Sequence, residues 1–289
     1  MKRALIAAFF AGCLVAQPAA QESTRGIVPE AVLQARPQPK AAVPAPAPKY
    51  LPQGAPGGRA RVGARQLGVT IWRLRAALDN ERGDAGRARI LVQEQSGTTS
   101  WIPERVASTT KLSAGDRLRL TFESPEPGYL YVIDRERYST GERGLPYLIF
   151  PTTRTRGGDN RVAAGKLIDI PGQDDRPNFF TMHKTRADQV EEEITVLLTP
   201  KPLEAVETGP AALALSAGQV ASWEKQWTGR VATFELAGGA GKAWTAAEQR
   251  AAADGSRLLT QEDPAPQTVY RVESGPGDPA LITVRLRYR

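Results

Sequence analysis

The chain has very few of the residues that build thiol and metal chemistry. Its 289 residues include one cysteine, Cys13, and one histidine, His183. A single cysteine excludes an intramolecular disulfide and a thiolate zinc cluster. A single histidine without further cysteines falls short of the three or more ligands that a typical zinc site needs. The composition therefore predicts no metal ion.

Signature motifs of nucleotide binding and ester hydrolysis are also absent. The sequence contains no phosphate loop, no Gly-x-Gly-x-x-Gly and no Gly-x-Ser-x-Gly elbow, so no cofactor is predicted. Two acidic runs, Asp174-Asp175 and Glu191-Glu192-Glu193, lack the alternating spacing of a calcium loop and are interpreted as solvated loop and pre-strand charge. His183 is interpreted as an exposed residue at a strand end. The alternative is a hydrolase that uses His183 with Asp175 or another acidic residue.

Excess charge of one sign is missing from most of the chain. The formal net charge is +7, yet residues 67–289 contain 29 basic and 29 acidic residues. The surplus of Lys and Arg therefore lies within residues 1–66. A nucleic-acid-binding fold would concentrate positive charge on its folded surface, so no nucleic-acid partner is predicted.

The only long apolar run lies at the N-terminus. Met1-Lys2-Arg3 is followed by apolar residues 4–16 and then by the small-residue stretch Ala19-Ala20. This run is shorter than the ~20 residues that a membrane-spanning helix needs. Its length and flanks are those of a secretory signal peptide over residues 1–20. The sequence therefore predicts an exported protein, periplasmic or extracellular.

Cys13 leaves a second route of processing open. The stretch Phe10-Ala11-Gly12-Cys13 resembles a lipoprotein processing box, in which the thiol is acylated and becomes the new N-terminus. Against lipidation, Leu14-Val15-Ala16 continues the apolar run beyond the cysteine. Contact with a membrane is predicted only through the leader or through this lipid.

Residues 21–66 have the composition of a disordered Pro/Ala-rich linker. Seven prolines between Pro37 and Pro56 alternate mainly with Ala and Lys. Proline removes amide donors and fixes φ, so these residues form neither a helix nor a central strand. A small apolar patch, Ile27-Val28 with Val32-Leu33, is interpreted as a frayed helical turn, and the alternative is a docking segment.

After Leu67 the hydrophobic pattern changes to a period of two. Leu118, Leu120 and Phe122 alternate with polar residues, and Ile282, Val284, Leu286 and Tyr288 do so at the C-terminus. Tyr129–Ile133 is apolar on both faces, as in a central strand. Many short strands separated by Gly, Pro and Asp turns predict a mainly β fold, an antiparallel β-sandwich of immunoglobulin-like or related type.

One or two short helices interrupt this β pattern. Ser216 with Gln219, and Thr245 with Glu248, have the spacing of a capping box. Val220, Trp223 and Trp227 then fall on one face of the first helix. A stripe at this spacing is interpreted as core packing, and the alternative is a ligand-stacking platform.

Several motifs occur in the order of a known family. They are Leu67–Trp72, Leu112–Arg117, Gly128–Val132, Leu148–Pro151, Gly157–Val162 with Ala164-Gly165, and Ile170-Pro171. The series resembles the domain-of-unknown-function family numbered 4384 over residues 67–200, extending to 228 at most. The resemblance implies a β-sandwich-like module that is common in bacterial exported proteins, and it implies no catalytic residues. On this division, residues 67–228 are the sandwich domain, and residues 229–289 are a C-terminal extension with a helix and strands packed on it.

One loop combines several cations with glycine. Arg154, Arg156 and Arg161 flank Gly157, Gly158 and Asn160, a set that could cradle a phosphate, sulfate or uronate group. The alternative is a long hairpin loop in which Asp159-Asn160 makes the turn and the arginines are solvated or paired.

Three functions follow from these features. The leading hypothesis is an exported, non-enzymatic module of the cell envelope that binds a protein, peptide or glycan through loops or a sheet edge. The second is polyanion binding through the Arg154–Arg161 loop and the basic linker. The third is the hydrolase with His183.

Overall fold

The computed structural model describes most of the chain after residue 64 and one short segment before it. The described residues are 32–38, 64–78, 81, 88–94, 97–204, 206–253, 256–275 and 277–289. The predicted signal peptide, Cys13, Ile27-Val28 and most of the predicted linker lie outside them.

Apart from the helical turn at residues 32–34, the described chain forms fourteen strands and two α-helices. In chain order they are β1 (Ala64–Ala76), β2 (Ile90–Glu94), β3 (Gly97–Val106), β4 (Arg117–Glu123), β5 (Gly128–Tyr138), β6 (Tyr147–Phe150), β7 (Arg161–Val162), β8 (Ile168–Ile170), β9 (Phe180–Thr181), β10 (Gln189–Thr199), β11 (Leu213–Ala214), α1 (Ala217–Trp227), β12 (Arg230–Glu235), α2 (Ala246–Ala252), β13 (Thr268–Glu273) and β14 (Ala280–Arg287). None of the described helices has the length and hydrophobicity to cross a bilayer.

The strands make two antiparallel sheets. The first sheet has the order β12-β13-β1-β3-β2, with β4 on the other edge of β1 and with β8 and β9 on β4. The second has the order β11-β6-β5-β10-β14, with β7 on β5. The predicted antiparallel β-sandwich with short helices is therefore confirmed.

Strand β1 organises the first sheet because both of its edges are used. Its first half, Ala64–Val69, pairs with β13, and its second half, Ile71–Ala76, pairs with β3. Residues Gly68–Leu74 pair on the opposite edge with β4. The strand begins three residues before the predicted start of the domain at Leu67.

The main core lies between the two sheets and follows the alternation seen in the sequence. Inward-facing side chains of both sheets form one buried cluster, which includes Leu67, Val69, Ile71, Leu118, Leu120, Phe122, Leu130, Val132, Ile194, Val196, Leu198, Ile282 and Val284. Strands β1, β4, β5, β10 and β14 present every second residue to this layer, as the pleat requires.

The outer face of the first sheet is also buried, beneath residues 236–253 and 256–266, called here the covering layer. Trp72 lies against Trp244 of this layer, with ring centroids 5.8 Å apart. The indole N–H of Trp72 donates to the hydroxyl of Thr121 at 2.7 Å. Leu259 and Ala251 complete the second apolar cluster. This face therefore combines aromatic packing with buried hydrogen bonds.

Both predicted helix caps are confirmed. The Ser216 side chain accepts from the N–H of Gln219, and Thr245 with Glu248 forms a reciprocal capping box. Helix α1 packs Val220, Trp223 and Trp227 against the outer face of the second sheet. The stripe is therefore packing, as interpreted from the sequence.

The C-terminal residues enter both sheets. Strands β12 and β13 belong to the first sheet, and β14 pairs with β10 along eight residues of the second. Residues 229–289 thus complete the same sandwich that residues 67–228 begin.

The linker prediction does not hold for residues 32–38. Val32 is fully buried against Val269 of β13, and the Arg36 guanidinium is buried against Glu123 of β4. The sequence offered docking only as the alternative for the patch that includes Val32, and it did not indicate the contact of Arg36.

A core substitution in β14 tests whether the chain is one folding unit. We expect Ile282→Ala to lower the free energy of unfolding by about 2–5 kcal/mol in a single transition, because it empties a buried site between the sheets. Val231→Ala on β12, which is 39% exposed, is the control and should change it by less than about 0.5 kcal/mol. Urea denaturation gives both values. A separate early transition for Ile282→Ala would show that the C-terminal strands fold apart from the rest.

Candidate functional site

The predicted anion loop forms a tight turn. Residues Arg156–Gly158 make one turn of 3-10 helix with positive φ at Arg156 (54°), Gly157 (62°) and Gly158 (90°). Gly157 and Gly158 adopt positive φ with little steric strain, because glycine has no Cβ.

Most polar groups of the loop bind each other. The Arg161 guanidinium donates to both Asp159 oxygens, from Nε at 2.9 Å and from Nη2 at 3.0 Å. Arg156 lies 3.8 Å from Asp159, and the Asn160 side chain donates to the carbonyl of Leu130 at 3.0 Å. The hydrogen bond from Arg161 lowers the pKa of Asp159 to about 2. Arg156 and Arg161 are therefore paired, as in the alternative interpretation, but the loop is not a hairpin: β6 and β7 both pair with β5, and the turn lies at Arg156–Gly158 and not at Asp159-Asn160.

Arg154 differs from the other two arginines. Its side chain is exposed, and within the described chain it makes neither a hydrogen bond nor an ion pair. It stands at the rim of a groove of ≈ 230 Å³, called here the proline groove. The groove is lined by Ile149, Thr152, Arg154, Thr155, Ile170, Pro171, Asp175, Arg176, Pro177, Phe179, Phe180, Pro210, Ala211 and Ala212.

Three chain segments build the groove, and hydrogen bonds hold them together. The buried Asp175 side chain accepts from the hydroxyl of Thr155 and from the N–H of Gly172 at 2.6 Å. The Thr153 N–H donates to the carbonyl of Gly209 at 2.9 Å. Asp175 is therefore used to join the loop before β7 to the loop after β8.

The size of the groove limits what it can hold. Pockets for small molecules usually enclose about 300–1,000 Å³ and bury most of the ligand. The proline groove is smaller and is open to solvent, with an apolar floor of Ile149, Ile170 and Phe180. It suits one apolar side chain of an extended segment better than a whole small molecule.

A second cavity, called here the acidic cavity, lies behind the groove between the two sheets. It measures ≈ 120 Å³, shares Ile149 and Phe180 with the groove, and contains the carboxyl groups of Asp134 and Glu192. One oxygen of each carboxyl group, Oδ1 and Oε2, is buried without a hydrogen bond. Liquid water occupies about 30 Å³ per molecule, so the cavity has room for a few waters only.

These two carboxyl groups hold protons more tightly than usual. Desolvation, with the nearby Glu136, raises the pKa of Asp134 to about 6. Desolvation, with the nearby Asp134, raises the pKa of Glu192 to about 8. Since the two groups interact, they titrate as a pair that shares about one proton near neutral pH.

The neighbouring glutamates do not lie where the sequence interpretation put them. Glu191 and Glu193 are buried within β10 on the outer face of the second sheet, so they are not solvated pre-strand charge. Glu193 pairs with Arg143, and Glu191 lies 2.7 Å from Arg285. The interpretation failed because arginines on β5, on β14 and in the loop after β5 are far away in sequence.

His183 does not join an acid cluster in the described chain. Its side chain is exposed, and only its carbonyl takes part in a contact, 2.8 Å from the hydroxyl of Tyr288. That hydroxyl also lies 3.0 Å from Glu192 Oε1. Asp175 is bound elsewhere, as described above. No group of three metal-ligating side chains occurs among the described residues.

Comparison of the chain with protein-family models, with curated proteins and with solved structures finds no match. The resemblance to the family numbered 4384 stays a prediction. The fold and the groove define the class of protein: it is a β-sandwich with a shallow, partly apolar recess at the ends of its strands.

The acidic cavity was missed at the sequence level, although a signal exists. Asp134 continues the inward-facing series Leu130 and Val132 on β5, and Glu192 precedes Ile194 and Val196 on β10 in the same phase. A carboxylate in phase with a buried apolar face indicates a buried titrating group.

The raised pKa of Glu192 predicts how stability depends on pH. A carboxyl group with a higher pKa in the folded state contributes stability at low pH, and this contribution is lost as pH rises through about 8. We expect Glu192→Gln to reduce the fall in unfolding free energy between about pH 5 and pH 8 by roughly 1–3 kcal/mol. Glutamine keeps the Oε1 acceptor for Gln189 and Tyr288.

Thermal unfolding across this pH range, calibrated by urea titration, measures the effect. The matched control is Glu207→Gln, which neutralises an exposed glutamate. If the unfolding free energies of Glu192→Gln and the wild type change with pH in the same way, the pKa of Glu192 is not raised.

Proposed function

We propose that the protein is an exported, non-enzymatic module of the bacterial cell envelope that binds a protein partner through the proline groove. The bound element is an extended peptide segment with an apolar side chain next to an acidic one. The export part of the proposal rests on the predicted leader over residues 1–20.

One observation carries the binding part: Arg154 has no hydrogen-bond or ion-pair partner among the described residues, and it lies beside an apolar recess. An exposed arginine at the rim of an apolar surface can form charge-assisted hydrogen bonds to a carboxylate, while the recess takes the neighbouring side chain. Arg156 and Arg161, in contrast, are already paired with Asp159. That pairing supports a single acidic contact more than binding of a polyanion along the loop.

The chemistry of the lining supports binding without catalysis. Asp175, the carboxylate of the groove, accepts two hydrogen bonds that hold the loops. Asp134 and Glu192, which have raised pKa values, lie in the acidic cavity and not among the residues that line the groove. Rigid loops on a sandwich are a common platform for protein recognition.

Selection of short random peptides on the purified mature chain tests this proposal. We expect the recovered peptides to combine an aromatic or aliphatic residue with an adjacent acidic residue. Arg154→Gln should weaken their binding by about tenfold or more, because a hydrogen bond to a charged group contributes about 1.5–3 kcal/mol. Isothermal titration calorimetry gives the dissociation constants.

Two control variants, Arg230→Gln and Ala214→Trp, test whether binding depends on the groove or on surface charge and bulk in general. Arg230→Gln removes an exposed arginine of β12 and should leave binding unchanged. Ala211→Trp fills the groove and should abolish binding, whereas Ala214→Trp, at an exposed position that does not line the groove, should not. Peptides that bind all four variants equally would rule out the groove as the site.

A further inference from the structure

Residues 32–38, called here the docked segment, bind the outer face of the first sheet through two side chains. Val32 and Arg36 are four residues apart, so a single helical turn points both toward the domain. The Arg36 N–H donates to the carbonyl of Leu33 at 3.1 Å within this turn. Val32 is fully buried against Val269 and Phe234.

The Arg36 guanidinium has an acceptor for every N–H group that it carries. Nε and Nη2 donate to the two oxygens of Glu123, at 2.6 and 2.7 Å. Nη2 also donates to the carbonyl of Pro264 at 3.0 Å, and Nη1 donates to those of Thr260 and Asp263 at 3.1 and 2.9 Å. Five donors meet five acceptors, the full complement of a guanidinium.

This arrangement selects arginine over other cations. The acceptors lie around a planar fork, which a lysine ammonium with three donors cannot match. The Arg36 side chain is 1% exposed and that of Glu123 is 3% exposed. The remaining space beside the guanidinium is ≈ 10 Å³, no more than one water molecule needs.

The pocket is built by the folded domain without help from the docked segment. Glu123 is held in β4, within the first sheet. The three carbonyls belong to a turn of the covering layer, which Asp263 closes by accepting from the Thr260 N–H at 2.8 Å. Arg257 supports the same carboxylate at 2.9 Å. All five acceptors are therefore supplied by the folded domain and none by the docked segment.

The docked segment is joined to β1 by residues 39–63. A chain of this length can span up to ~80 Å when extended, far more than docking requires. Release would expose Val32, separate Arg36 from Glu123 and break the hydrogen bonds of Arg36 to three carbonyls. Both charges and the carbonyls would regain water, so the cost of release is smaller than that of unfolding. A linker of this kind gives a docked segment an effective concentration of about millimolar.

We propose that the pocket around Glu123 is a recognition site for an arginine-containing peptide segment and that residues 32–38 are its releasable intramolecular ligand. Docking shortens the chain between the predicted cleavage point and the domain to residues 21–31, and release lengthens it to residues 21–63. The site is separate from the proline groove, so this proposal does not depend on the proposed function.

Peptide binding to the full mature chain, residues 21–289, tests the proposal. The probe is a fluorescent peptide of residues 29–41, and the readout is anisotropy. We expect micromolar binding to the Arg36→Gln chain, whose own segment is disabled. Binding to the wild-type chain should be at least about 100-fold weaker, because its own segment competes at millimolar effective concentration.

Substitution in the peptide tests the specificity of the pocket. A peptide with Arg36→Lys should bind the Arg36→Gln chain at least about tenfold more weakly than the native peptide. The Arg230→Gln chain is the control for loss of one surface charge, and it should behave like the wild type. Equal binding of the peptide to the Arg36→Gln and wild-type chains, or equal binding of the lysine peptide, would overturn the proposal.

Hydrogen exchange on the wild-type chain provides a test that does not rely on a variant folding. Amides of residues 32–38 should exchange much faster than those of β1, since the segment opens without global unfolding. If both regions exchange at one rate, or if a folded Arg36→Gln chain fails to bind the peptide, the segment is a fixed part of the fold and the proposal is wrong.

Discussion

Three buried arginine–carboxylate pairs determine what can cover the first sheet. Arg119 pairs with Asp169 within the sheet, Arg105 of β3 pairs with Glu248 of α2, and Arg36 pairs with Glu123 of β4. A charge that stays buried without its partner is costly, so each pair needs both members for as long as its site is shielded from water. Two of the three pairs therefore fix a separate piece of chain, either the covering layer or the docked segment, onto the sheet.

The arginines also explain why aromatic residues gather on this face. Arg105 lies 5.2 Å from the ring centre of Trp72, and Arg119 lies 5.6 Å from that of Trp244. A guanidinium can stack on an indole while its N–H groups bind carboxylates or carbonyls. The arginines of the outer face thus contribute both to packing and to buried hydrogen bonds.

Local patterns in the sequence predicted the parts of the fold that depend on near neighbours. Alternation in β4 and β14 and the two helix caps concern residues within one element, and the structure has them as predicted. Contacts between elements far apart in the sequence could not be predicted from local patterns. The pairing of Glu193 with Arg143, and of Arg36 with Glu123, joins residues that only the folded chain brings together.

The candidate site shows the same division. The pairing of Arg161 with Asp159 could be anticipated from the residues as an alternative, but the position of the turn at Arg156–Gly158 was not. The proline groove could not, since its walls come from the ends of β6 and β8 and from residues 210–212. The sequence does not distinguish Arg154 from Arg161. Only the folded chain places Arg154 at the groove and Arg161 against Asp159.

The position of β13 on β1 has a consequence for the order of events during synthesis. On one edge of β1, residues Ala64–Val69 can pair only after β13 has been synthesised. Strand β14 follows β13 and completes the second sheet by pairing with β10. A chain emerging from the ribosome therefore has no finished sandwich until almost its last residues appear.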